Sequence, residues 1–173
     1  MMEASGKDFS FLGREFLTWL WFKSEQRGGA IMLPGEGDVV VAFVRRIILS
    51  SGEGEYSETV SCQGLHSDLK EGKEALRKGK KIKEARIKLD INTDEYEFTF
   101  KADSFQFQTM KLPTSLTMTE EEEDKEGRIL ERIYQTEAAV GTMETFFSLF
   151  LEKRLSPAWQ SEEIPLFKKW LAE

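Results

Sequence analysis

Cys62 and His66 are the chain's only cysteine and only histidine, and they lie four residues apart. A thiol beside an imidazole is the composition of a nucleophilic pair, and both side chains ligate zinc. Zinc takes three or four such ligands, and the sequence has no third. The pair reads as a small buried thiol and a surface imidazole, so neither a metal nor a cofactor is expected. Carboxylates offer a second chemistry. Asp90, Asp94, Asp103 and Asp124 could serve a metal-dependent nuclease only if separate elements brought them together. The run Glu120 to Asp124 is acidic throughout, but consecutive carboxylates at a helix start point in different directions, so it reads as a solvated helix end. LPGEGD, Leu33 to Asp38, lacks the lysine and the following helix of a phosphate-binding loop. A single histidine argues no Ser-His-Asp set. No catalytic residue is expected, and the chain reads as a non-enzyme.

The strongest chemical signal is segregated charge. Between Lys70 and Lys88, nine basic residues (Lys70, Lys73, Arg77, Lys78, Lys80, Lys81, Lys83, Arg86 and Lys88) face three acids. They give this segment +6 and leave −13 to the rest of a chain whose total is −7. Concentrated cations on a helix, a turn and a strand could follow a phosphate backbone without reading bases. No aromatics interleave the lysines, so little sequence preference is expected. The alternative is a solvated surface whose lysines pair with neighbouring glutamates or with Glu120–Glu123.

These residues must be positioned by elements that the pattern of apolar residues defines. Asp8 or Ser10 can cap a helix running to about Glu25, ended by Gly28-Gly29. Leu12, Phe16, Trp19 and Leu20 form one face, and Phe9, Leu17, Trp21 and Phe22 widen it almost all round. A helix apolar on all sides is buried on more than one side. Arg14, Glu15 and Lys23 interrupt it, so it falls short of the ~20 apolar residues that span a bilayer. Asp38 to Leu49 is a β-branched strand, Ser50 to Glu55 a turn, and Tyr56 to Cys62 a returning strand. Ser67-Asp68 caps a short helix to Lys78, closed by Gly79. From Glu84 to Ile91, apolar Ala85, Ile87, Leu89 and Ile91 alternate with charged residues, the period of a half-buried strand. Tyr96, Phe98 and Phe100, then Phe105 and Phe107, continue that dry face through two more strands. A long helix from Glu126 to about Arg154 is expected to cover it, and a last helix follows Ser156-Pro157, interrupted at Pro165. The whole is a single α+β domain over 1–173. Its mainly antiparallel sheet, a hairpin plus a three-stranded meander, is packed by a Trp-rich N-terminal helix and long C-terminal helices.

From Gly79 onward the order of these segments resembles the carboxy-terminal part of the RdgC family of bacterial recombination-associated proteins. The likeness is carried by Gly79-Lys80, ARIKLDI (Ala85–Ile91), YEFTF (Tyr96–Phe100), FQFQTMKL (Phe105–Leu112), the acidic EEEEDKEGR and the helix AAVGTMETFFSLFLE (Ala138–Glu152). GREFLTWLWFKSE, Gly13 to Glu25, resembles the segment preceding this region in shorter RdgC-like proteins. The resemblance implies a homodimer that binds double-stranded DNA with little sequence preference and restrains RecA-promoted recombination in the bacterial nucleoid. It would make Lys70–Lys88 the chain's share of a positive DNA-facing wall. Most of the amino-terminal half of the enterobacterial type is missing. Phe16, Trp19, Trp21 and Phe22 would therefore be an interface, covered by a twin chain or a separately encoded half. An oligomerisation module that binds protein and not DNA is the alternative. The lone cysteine, the polar amino end and the absence of a spanning run are those of a cytoplasmic protein.

Overall fold

The computed structural model describes residues 10–35, 37–51, 57–64, 70–114 and 125–173. In chain order the elements are α1 (Ser10–Ser24), β1 (Ala30–Leu33), β2 (Gly37–Ser51), β3 (Glu58–Gly64), α2 (Lys70–Arg77), β4 (Lys81–Ile91), β5 (Asp94–Lys101), β6 (Gln106–Lys111), α3 (Lys125–Leu155) and α4 (Ile164–Ala172). Asp8, Phe9, His66, the Ser67-Asp68 cap, the tip of the β2–β3 loop and the run Glu120–Asp124 lie outside the described residues.

β2 sets the frame, because its unbroken β-branched residues can be buried along most of their length. One edge of β2 pairs with β4, and β5 and β6 continue from there, all antiparallel. The other edge carries two short strands end to end. β1 pairs with Gly37 to Val40, and β3 with Arg45 to Ser51. β1 has no counterpart in the expected element order, since four residues without alternation leave no periodic signal. The expected hairpin and meander are both present, in an α+β fold.

Period-two alternation gives the sheet one dry face, made of Val39, Val41, Phe43, Ile47 and Leu49 of β2, Ile82, Ala85, Ile87 and Leu89 of β4, and Tyr96, Phe98 and Phe100 of β5. The long helix α3 was expected to cover this face directly. Much of it is covered instead by α1, which lies on β4 and β2; α3 packs on α1 through Phe147 and reaches the sheet itself where Tyr134 to Thr142 lie beside Ile91 and Asn92 at the end of β4. α1 is thus the middle layer of three. Phe16 meets Phe100 of the sheet at 6.2 Å and Phe147 of α3 at 5.2 Å. Trp21 meets Phe43 below at 6.4 Å and Trp170 of α4 at 5.2 Å, edge to face.

This corrects the interface reading. Phe16, Trp19, Trp21 and Phe22 are all buried within one chain, none more than 6% exposed. The helix is covered on two sides, as its composition demanded, but α3 and α4 of the same chain form the second side.

Two glycines are needed where they stand. Gly79 takes φ +85°, which lets its N–H reach Leu76 O (2.9 Å) and the next N–H, of Lys80, reach Ala75 O (3.0 Å), satisfying the last carbonyls of α2. At Gly13 a Cβ would stand 2.0 Å from the carbonyl oxygen of Ala102, so only glycine lets α1 come this close to the β5–β6 turn. Arg14 anchors the same approach through Asp103, at 2.5 and 2.8 Å. Pro165 was expected to interrupt the last helix. It sits instead in the first turn of α4, after one wide π-type turn, Trp159–Glu163, that absorbs the missing N–H. Among the described residues no helix is long and apolar enough to cross a membrane.

Candidate functional site

Among the described residues no helix is packed against the sheet's second face. Alternation along β4 and β5 places Glu84, Arg86, Lys88, Asp90, Glu95, Glu97, Thr99 and Lys101 there. Two irregularities re-aim neighbouring strands toward its centre. Between Phe43 and Ile47 of β2 the pairing with β4 slips, and Arg45 takes φ +62°. Between the partners of Glu97 and Thr99 the pairing of β6 slips, and Thr109 takes φ +47°. A positive φ is uncommon in any non-glycine residue and costly for a β-branched one. Such bulges change where side chains point.

Both distortions converge on one pair. Arg86 donates from Nε to Glu97 Oε1 at 2.8 Å, and its Nη1 holds the strained Thr109 through the carbonyl oxygen (2.8 Å) and the hydroxyl (2.7 Å). Arg45 reaches Glu97 at 3.4 Å from one side and Lys111 at 3.8 Å from the other. Burial alone would raise the carboxyl pKa of Glu97. The hydrogen bond and charge of Arg86, aided by Arg45 and Lys111, outweigh it and hold Glu97 below the usual carboxylate range. One carboxylate is shared by three cations, and two of them, Arg45 and Lys111, are more than 60% exposed. The centre of this face therefore carries an excess of positive charge with unspent donors.

The nine basic residues of the sequence reading do not gather on one surface. Arg86 and Lys88 share the open sheet face, where Lys88 is held by Glu95 at 2.7 Å. Lys80 is buried against Glu58 at 2.7 Å. Lys81 turns beneath α1 to Glu15 at 2.8 Å. On α2, Lys73 lies 4.7 Å over the ring of Trp170 and Arg77 donates to the carbonyl of Leu171; just past its end, Lys78 lies 3.7 Å from Glu74. Lys70 and Lys83 are exposed. The reason is alternation plus Gly79, which send adjacent residues to different sides. Arg45, Lys101 and Lys111, absent from that reading, join Arg86 only through strand register. The one local hint was Arg45-Arg46 in the middle of an apolar strand, where a regular strand would bury one of the two.

Of the carboxylates considered for a nuclease, Asp90 and Asp94 are neighbours at the β4–β5 turn but on opposite faces of the sheet, and Asp103 is apart from both. Asp94 opens β5, Asp103 follows its far end and is tied to Arg14, and Asp124 lies outside the described residues. Among the described residues no three His, Cys, Asp or Glu side chains come together as a metal site. Cys62 is buried, and its thiol pKa is pushed up by burial and by the charge of Glu71, away from nucleophilic use.

A second polar cluster lies under α1. Glu15 accepts from Lys81 (2.8 Å) and from Arg154 Nε (3.1 Å). Its burial would raise the pKa, but these two partners lower it on balance. Both Glu15 and Glu97 are thus more acidic folded than unfolded. Their stabilising contribution is complete above the unfolded value of about 4.5 and is lost as pH falls below it. The urea midpoint should hold between pH 7 and pH 5 and drop below about pH 4.5, and Glu15→Gln with Glu97→Gln should flatten that drop.

Comparison with protein-family models, with curated proteins and with solved structures gave no match.

Proposed function

We propose that the chain is a non-enzymatic module that binds double-stranded DNA with little sequence preference, an RdgC-like protein acting in the bacterial nucleoid. What carries the reading is Glu97 shared by Arg45, Arg86 and Lys111 on a sheet face that no helix among the described residues covers. The four strands from β2 to β6 span roughly 14 Å at about 4.8 Å per strand spacing. That width matches about four phosphates along one DNA strand, at 3.4 Å each. The face offers guanidinium, ammonium and hydroxyl donors, its five cations set against the four carboxylates of Glu84, Asp90, Glu95 and Glu97, and among the described residues no helix shaped to enter a major groove, so it suits backbone contact more than base readout. The resemblance to RdgC points the same way. Fluorescence anisotropy with a random-sequence duplex tests it. Binding at low salt should weaken by about 0.9 log units per phosphate contact for each tenfold rise in salt. A salt-independent signal, or none at low salt, removes the reading.

A second reading, self-association without DNA, is favoured by one observation. Ile129, Leu130, Ile133 and Tyr134 on the first half of α3 are each at least 49% exposed. Four large apolar side chains on two adjacent turns form a patch of the kind that interfaces cover. If it holds two copies together, Ile133→Asp should convert a dimer to a monomer in light scattering without changing the circular dichroism. A wild-type chain that stays monomeric at about 100 µM, a concentration that would half-populate even a dimer of roughly that Kd, counts against it.

A further inference from the structure

A cavity of about 370 Å³ lies between α1, the α2–β4 turn, the end of α3 and α4, on the side of the sheet away from the open face. The DNA reading makes no use of it. Trp19, Phe22, Leu76, Trp159, Ile164 and Phe167 supply apolar and mostly flat walls. Its volume falls within the range of small-molecule sites, which combine such walls with a few converging polar groups.

The polar groups are unevenly spent. At one end Glu163 is fully engaged, accepting from Lys23 at 2.9 Å and from the Trp19 indole N–H at 3.1 Å. Lys80 is neutralised by Glu58. At the other end the single carboxylate of Glu15 lies between Lys81 and Arg154. One negative charge between two positive ones leaves one unmatched. Each cation also keeps free donors, because Lys81 has three N–H groups and Arg154 five. Both are partly exposed, and Arg154 lies 5.2 Å over the ring of Trp159, which sets its guanidinium beside the aromatic wall.

We propose that this cavity binds a small planar aromatic monoanion, with a ring against Trp19 and Trp159 and a carboxylate between Lys81 and Arg154. The charge balance selects a monoanion: a neutral ring leaves the extra cation without a partner, and a cation would add to the excess. Carboxylate suits the guanidinium fork and the ammonium group alike.

The probe is 2-naphthoate, with 2-naphthamide as its neutral counterpart, titrated into the full chain and followed by calorimetry and by the NMR shifts of the indole N–H groups. A ligand of this size should bind with a Kd of about 0.1–1 mM. The amide should bind about tenfold more weakly, and the shifts should concentrate on Trp19 and Trp159. Arg154→Gln should weaken naphthoate binding by about tenfold. Because that change could also disturb the fold, Glu15→Gln is the companion. It removes the competing carboxylate, leaves both cations, and should tighten naphthoate binding several-fold, whereas mere loosening of the structure would weaken it. Equal binding of naphthoate and naphthamide, no saturation by about 5 mM, several times the weakest Kd expected, or weaker binding in a folded Glu15→Gln protein would each overturn the proposal.

Discussion

Trp21→Ala lowers the unfolding free energy by about 3–5 kcal/mol, the cost of truncating a fully buried large aromatic side chain. Trp21 has no exposed surface, and it is held from both sides, by Phe43 of the sheet and by Trp170 of α4. Alanine leaves a cavity at the junction of all three layers, where neither the sheet nor the helices can close in without breaking other contacts. Its indole N–H, 3.3 Å from Glu25, is lost as well. Against a typical total of about 5–15 kcal/mol, such a change takes a fifth or more of the stability. Urea denaturation measures it. The same experiment separates a core residue from an interface residue. A core Trp gives a loss independent of protein concentration, and an interface Trp gives one that fades on dilution and leaves the monomer as stable as before. A concentration-dependent loss would return α1 to the role of a docking surface.

The helix shows how far local pattern reaches. The spacing of Leu12, Phe16, Trp19 and Leu20, widened by Trp21 and Phe22, requires burial on two sides, and both sides are buried. Which element covers the second side is set by α3 crossing back over α1 more than a hundred residues later, and nothing in Gly13 to Glu25 encodes that. The same division holds for β4. The alternation of Ala85, Ile87 and Leu89 with Arg86 and Lys88 defines its two faces. The charge density from Lys70 to Lys88 nevertheless suggested one surface, because counting charges ignores the alternation in that very strand and the reversal at Gly79. Arg45, Arg86 and Lys111 are 41 and 25 residues apart in order, yet they meet at one carboxylate. Their meeting depends on register and on two bulges, and bulges leave only a faint trace in sequence, such as paired arginines amid valines and isoleucines.

On the proposed DNA reading, Arg45→Glu with Lys111→Glu should abolish duplex binding, while Lys70→Glu with Lys78→Glu should leave it nearly unchanged. Both pairs alter the net charge by the same amount, so a general attraction between chain and DNA would respond equally to each. They differ in place: the first pair flanks Glu97 on the open sheet face, and the second brackets α2, whose Ala75 and Leu76 pack into the core on the other side. The side chains of Arg45 and Lys111 are mostly exposed and their bonds to Glu97 are long, so the fold should tolerate the change. Milder substitutions give a graded result. Arg45→Gln removes one phosphate contact and should reduce the slope of log K against log salt by about 0.9, and adding Lys111→Gln should reduce it by about as much again. Anisotropy at several salt concentrations reads both slope and affinity. If the α2 pair abolishes binding and the sheet pair does not, DNA is held by the helix–turn segment alone. If neither pair changes the slope, phosphate contact at Glu97 is not the basis of binding, and self-association through α3 becomes the better account of the chain.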